Sequence, residues 1–329
     1  MSDPKFRQRA VIGFGLLILC LLPPLAHLFG QEYFISLSSR ILIYALAAVS
    51  LDLLIGYGGL ISLGHAAFFG VGAYVVGVMY YHGYEGELLF HLIPGSENGL
   101  VVLPLAVMIS ALFALVIGAI SLRTSGMHFI MITLAFAQML YYFFIGLEKY
   151  GGDDGLTMYA RNSLPFADLS NDSHFYYVCL GLLLLFVFLM HRLINSRFGL
   201  VLRGASKNSK RAQATGINVF YYQLVGFTIA GAGAGLAGAL LANQTEYVSP
   251  GLLHWPLSGE LMVMVLLGGL GTLVGPILGA AVFLLLEEFL GMYTEHWMIY
   301  LGPFLIIVVI FAKKGLYGLL IGIGGEHDT

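Results

Sequence analysis

The chain has 329 residues, of which 59% are hydrophobic and only 10% are charged, with a mean hydropathy of +0.88. Soluble globular domains carry about 25% charged residues, so this composition suits lipid and argues against a water-soluble enzyme or scaffold. The net charge of −3 gives no reason for a nucleic-acid partner. Glycine is abundant, at 43 residues, and most glycines lie inside apolar runs, as in helices that pack closely in a bilayer. Cys20 and Cys179 each sit alone in a predicted span, without a CxxC partner or a histidine cluster, which argues against a disulfide framework or a zinc site.

Crossing the hydrocarbon core takes about 20 apolar residues in a helix. Lys5, Arg7 and Arg9 precede such a stretch, and no small-x-small cleavage pattern follows, so it reads as a retained first span kinked at Pro23 and Pro24. In chain order the spans are expected near 10–30, 34–56, 60–81, 100–120, 126–147, 175–194, 222–244, 258–271, 273–290 and 297–312. Segment 60–81 is rich in Gly and Ser, and 258–290 is broken at Gly268–Gly271. Re-entry of either stays open, since irregular backbone is tolerated at membrane depth where protein or a cavity covers it. The expectation is an all-α, polytopic membrane bundle of about ten spans, forming one domain over 1–329.

Lysine and arginine set the orientation. With both termini cytoplasmic, twelve of the fifteen basic residues fall inside: Lys5, Arg7, Arg9, Arg123, Arg192, Arg197, Arg203, Lys207, Lys210, Arg211, Lys313 and Lys314. Only Lys149 and Arg161 fall in outer loops, and Arg40 lies within a span. The outer loops carry Glu85, Glu87, Glu97, Glu148, Asp153, Asp154, Asp168 and Asp172.

Catalytic signatures are missing. No lysine follows a glycine, so there is no GxxxxGK[ST] phosphate loop; no histidine precedes a glutamate, so there is no HExxH; and no serine has the nucleophile-elbow spacing. Packing signals are strong. Gly226, Ala230, Ala234, Gly238 and Ala242 recur every four residues in the seventh span, with Gly231, Gly235 and Ala239 as a second row beside them. Gly271, Gly275 and Gly279 repeat the spacing in the ninth, with Pro276 available to bend it. Such surfaces let a helix approach closely, within the chain or from a second subunit.

Polar groups in the spans are few, and burying them in lipid is costly. Asp52 lies near the inner end of its helix, where capping or snorkelling would account for it. Arg40 lies near the outer end of the same helix, where a structural pairing and a functional role both remain open. Ser62 and His65 in the Gly-rich third segment, with His128 and Gln138 in the fifth span, are candidates for a translocation path, although His128 and Gln138 do not share one helical face. For His65 a packing role is the commoner alternative. Glu260 begins the eighth span, and Glu287 and Glu288 lie near the outer end of the ninth. No repeated acid sits at mid-membrane, which weighs against a proton-driven transporter without removing it.

The inner loop 192–221 holds six basic residues and an expected short helix over Ser206–Thr215, closed by Gly216 at C′. It reads either as an ordinary positive-inside loop or as a docking helix for a cytoplasmic partner.

Several of these stretches resemble one family. Leu51–Tyr74 (LDLLIGYGGLISLGHAAFFGVGAY), Leu122–Phe136 (LRTSGMHFIMITLAF), the outer motif Gly151–Leu156 (GGDDGL), Ser196–Gly238 and the Gly-rich run Leu267–Ala280 are similar to branched-chain amino acid permeases of ABC importers. The GGDDGL loop and the chain length favour the LivM-type subunit over the LivH-type. The resemblance implies a bacterial inner-membrane protein, a second LivH-type permease, two cytoplasmic ATPase subunits that bind the ATP, and a periplasmic solute-binding protein. It implies no cofactor in this chain and no catalytic activity of its own. The ATPase-coupling loop it implies comprises Ser206, Lys210, Arg211, Ala212, Gln213, Ala214 and Gly216. Many ABC importers have Glu-Ala-Ala where this chain has Arg211-Ala212-Gln213, which puts the usual acidic contact to the ATPase in doubt. Sister permeases resemble importers of urea, short amides and aromatic acids. An ion-coupled secondary transporter or channel is the alternative class.

Overall fold

The structure is a computed structural model that describes residues 4–28, 30–86, 88–89, 93–165, 168–293, 296, 299–303 and 315–321. Most of the expected tenth span (297–312), Lys313 and Lys314, the side chains of Lys5, Arg7 and Arg9, and Glu87 lie outside the described residues.

The described chain is mainly helical. Helices α1 (Pro4–Leu28) and α2 (Tyr33–Asp52) come first, and α2 runs into a π-helical turn, Leu53–Tyr57. Next are α3 (His65–Glu85), α4 (Gly99–Ser121) and α5 (Met127–Ile145). An outer loop leads to α6 (Asp172–Ile194), followed by two short helices, α7 (Arg197–Lys207) and α8 (Ser209–Ala214). The longest helix is α9 (Val219–Thr245), and α10 (Trp255–Gly268), α11 (Gly275–Gly291) and α12 (Gly315–Ile321) follow. Asn98, Asn171 and Asn208 cap α4, α6 and α8 by accepting from backbone N–H groups in their first turns.

Among the described residues, five helical stretches are long and apolar enough to cross a membrane: Tyr33–Tyr57, α4, α5, α6 and α9. Both doubtful segments prove broken. Residues 58–64 are not helical, so the third helix begins only at His65. Stretch 258–290 is a helical hairpin, α10 and α11, turning through 269–274.

In lipid, hydrophobicity cannot distinguish an inward face from an outward one, so small residues and polar atoms decide which helices become central. The segment α2 with its π-turn and the helix α9 are mostly buried, whereas α4, α5 and α6 keep most of their surface outward. The small rows of α9 do the centring. A Cβ on Gly238 would collide with the carbonyl of Phe69 in α3, one on Gly235 with Ser110 of α4, and one on Gly231 with Ala114 of α4. Both rows are therefore occupied inside this chain. The third row divides: Gly279 packs α11 onto α10 at Met264, Gly275 opens α11 against the 268–269 backbone, and Gly271 belongs to the turn.

The two ends of the bundle differ. Gly118 packs against Leu224 and Phe227 near the start of α9, so the 121–126 turn lies at the same end as α7 and α8. At the far end Leu156–Thr157 pairs antiparallel with Tyr247–Val248, just past α9. Arg123, Arg192, Arg197, Arg203, Lys207, Lys210 and Arg211 thus gather at one end, and Lys149 and Arg161 at the other.

Candidate functional site

A buried polar knot lies near mid-depth in the bundle, where α2, α3 and α10 meet. Since α3 begins abruptly at His65, its first N–H groups need acceptors from elsewhere. Ser258 of α10 supplies one, accepting from the Ala66 N–H at 2.8 Å, and Ser62 accepts from the Gly64 N–H at 3.2 Å. His65 is fully buried, and its Nε2 lies 2.8 Å from Ser50 Oγ on α2. The Ser50 hydroxyl donates to the Ala47 carbonyl at 2.7 Å, so its oxygen accepts from His65 Nε2–H, which leaves His65 Nδ1 as an acceptor without a partner among the described residues.

Two residues beyond Ser50, Asp52 is buried and neither snorkels nor caps its own helix. Its Oδ1 accepts from the backbone N–H of Gly271 at 2.8 Å, fastening the end of α2 to the α10–α11 turn, while its Oδ2 has no hydrogen-bond partner among the described residues. Directly after Asp52 the π-turn Leu53–Tyr57 widens the helix. Turns of this kind interrupt α-helices mainly at functional positions.

The arm α7–α8 leans on that turn. The Arg203 guanidinium sits over the Tyr57 ring at 6.0 Å and donates to the Ile194 carbonyl at 2.7 Å. Ser206 lies in contact with Gly59. Helix α8 starts at Ser209, so Ser206 belongs to the preceding helix α7 rather than to the single helix expected over Ser206–Thr215. Lys210, Arg211, Gln213 and Ala214 are exposed, Ala212 is half-buried, and Gly216 follows with φ +84°, the left-handed C′ geometry.

Of the candidate path residues, Ser62 and His65 come together in the knot. Gln138 is half-buried on α5 with its side-chain N–H₂ lacking a partner, and His128 is exposed near the start of α5, away from the knot. Neither shares a hydrogen bond with Ser62 or His65 among the described residues. Sequence reading missed Ser50, Ser258 and the Gly271 amide, because nothing local distinguishes a buried serine or backbone N–H that serves a helix far along the chain.

The other end is closed by the outer loop. Arg161 is mostly buried, pairs with Asp172 at 2.7 Å and Glu246 at 3.5 Å, donates to the Leu169 carbonyl, and lies over the Phe175 ring at 4.9 Å. Asn162 accepts nothing through Oδ1 among the described residues, yet its N–H donates to Asn243 of α9 and its amide donates to the Glu97 carbonyl. The Ser170 hydroxyl and then its amide N–H hold the exposed Asp168 carboxyl below the usual carboxylate range.

Small-residue packing around α9, a broken α3, a helical hairpin and a basic arm at one end define a polytopic helical membrane protein. The chain belongs to the family of permease components of branched-chain amino acid transport systems, whose pattern matches residues 33–312. Members of this family are transport subunits rather than enzymes. It is 25% identical to the high-affinity branched-chain amino acid permease protein LivM of Salmonella typhimurium and 24% identical to that of Escherichia coli K12. Both alignments cover 96% of this chain and 79% of the relative. It is 26% identical to a probable LivM permease of Methanocaldococcus jannaschii, over 85% of this chain and 88% of the relative. No solved structure is a significant match. The resemblance read from the motifs is therefore the family to which the chain belongs.

Proposed function

We propose that this chain is the LivM-type permease subunit of an ABC importer, one half of a membrane heterodimer with a LivH-type permease. On this reading 1–329 is a single permease domain of about ten spans in the bacterial inner membrane, both termini cytoplasmic. Two cytoplasmic ATPase subunits bind the ATP, and a periplasmic solute-binding protein delivers the solute. Branched-chain amino acids are the leading substrates, with urea, short amides and aromatic acids as related alternatives.

The observation that carries the reading is the arm α7–α8. It presents Lys207, Lys210 and Arg211 outward, ends at Gly216, and leans through Ser206 and Arg203 on Gly59 and Tyr57. A push on α8 by an ATPase subunit passes through α7 to the π-turn, and from there to the broken start of α3 and the Asp52–Gly271 tie. Those elements are joined by a few hydrogen bonds rather than by continuous helix, so they can shift as units. Arg211-Ala212-Gln213 stands where many importers place Glu-Ala-Ala, so the acidic side of this contact belongs to the ATPase partner. Ser62, His65 and Gln138 are the path candidates facing inward, and His128 faces lipid or the second permease.

Assembly with the ATPase subunits and ATP-dependent uptake in proteoliposomes test this reading; uptake by this chain alone on an ion gradient would favour the secondary-transporter class instead. Gly216→Val forces a β-branched residue into left-handed backbone, at about 1–2 kcal/mol, on an exposed arm with open space around it. The expected outcome is a folded complex that hydrolyses ATP while solute uptake falls; normal coupling would remove the docking role of α8.

A further inference from the structure

A second group of charges lies in the membrane-spanning region at the opposite end of α2. Arg40 sits roughly two turns inside α2, Glu260 little more than one turn inside α10, and Glu287 about one turn before the end of α11. These three helices pack on one another, and all three charges lie on the side away from the Asp52–Gly271 tie. Arg40 donates to Glu287 Oε1 at 3.2 Å and lies over the Tyr44 ring at 5.6 Å. Glu260 is within electrostatic reach of both Arg40 and Glu287, yet it has no hydrogen bond or ion pair among the described residues. Nearer the end of the bundle, Tyr33 donates a hydrogen bond to Glu288.

A structural ion pair in lipid is normally closed off, because each uncompensated charge there costs several kcal/mol. This one is open: the Arg40 and Glu287 side chains are 35% and 24% exposed. Glu260, within electrostatic reach of both and without a partner among the described residues, adds an acid that packing does not need. One partly exposed cation with two acids in reach is the donor–acceptor pattern for an α-amino acid zwitterion. We propose that Arg40, Glu260 and Glu287 form a transient binding site for the head group of an α-amino acid: Arg40 receives the carboxylate, and Glu260 with Glu287 receives the ammonium. Passage is then an exchange of partners. The Arg40–Glu287 pair opens only when the solute brings both charges, so one ion pair is exchanged for two. A neutral amide or urea cannot compensate the opened pair, and an anion leaves the acids unmatched. The site therefore narrows the substrate class left broad above, and it rests on the importer reading.

The test is uptake of radiolabelled leucine by the complete reconstituted complex. Glu260→Gln, which disturbs no pairing among the described residues, is expected to lower uptake about tenfold or more, the loss of one hydrogen bond to a charged group, while the complex still assembles. The double variant Arg40→Gln with Glu287→Gln removes both halves of the Arg40–Glu287 pair together, so neither is left without its partner, and it is expected to fold and likewise to lose leucine uptake. Leucine uptake within twofold of the unaltered complex in both variants overturns the site and leaves the importer reading intact. Loss of the second permease from the purified variants overturns it in favour of a subunit interface. If the unaltered complex imports urea but no amino acid, the substrate part of the importer reading fails first, and the site with it.

Discussion

Gly226 and Gly238 belong to the same four-residue row of α9, about three turns apart, and sequence periodicity treats them alike. A Cβ on Gly226 would meet Leu202 at 3.7 Å, an ordinary contact, whereas one on Gly238 would run into the Phe69 carbonyl of α3. Backbone cannot step aside as a flexible side chain can. Gly238→Ala is therefore expected to destabilise the protein by about 1–3 kcal/mol through overpacking, and Gly226→Ala to stay within about 0.5 kcal/mol. Thermal unfolding in detergent separates the two, and equal losses would contradict the α3–α9 approach described here. Ser50 and Ser258 give the converse lesson: each side chain is unremarkable in sequence and acts through a partner on another element, as Asp52 does through Gly271.

Among the elements, the outer loop shows how a few polar contacts hold irregular backbone over the end of α9. Arg161 joins α6 through Asp172, the end of α9 through Glu246, and its own loop through Leu169. Its side chain is 11% exposed while both acids are more than 40% exposed, so water partly relieves the acids once the arginine is gone. Arg161→Ala is accordingly expected to cost about 2 kcal/mol, below the range for fully buried pairs. Faster hydrogen exchange confined to the loop 156–165 and the start of α6 would be its signature; unchanged exchange there would remove Arg161 as the fastener. The GGDDGL motif was legible as a loop, but the pairing of Leu156–Thr157 with Tyr247–Val248 was not, because some ninety residues separate the partners.

For the molecule as a whole, the bias of basic residues predicts an orientation that the bundle geometry makes testable. Helix α9 spans 27 residues, roughly 40 Å at 1.5 Å per residue, between the arm at one end and the outer loop at the other. With Cys20 and Cys179 replaced, a cysteine at Ser209 is expected to react with a membrane-impermeant thiol reagent only from the cytoplasmic side, and one at Asp154 only from the other side. Labelling of both from the same side would overturn the topology. Composition and span length by themselves determined that the chain is a helical membrane protein. Charge placement picked out the basic end, four-residue spacing marked the small faces of α9, and motif runs pointed to the permease family. Only the tertiary structure decided which helices are central, that the third segment is broken at His65, and that Arg40 meets Glu287 while Asp52 meets Gly271. The physical reason is the solvent: lipid rewards every apolar face equally, so local pattern carries little trace of which faces meet, and the few buried polar groups find partners hundreds of residues away.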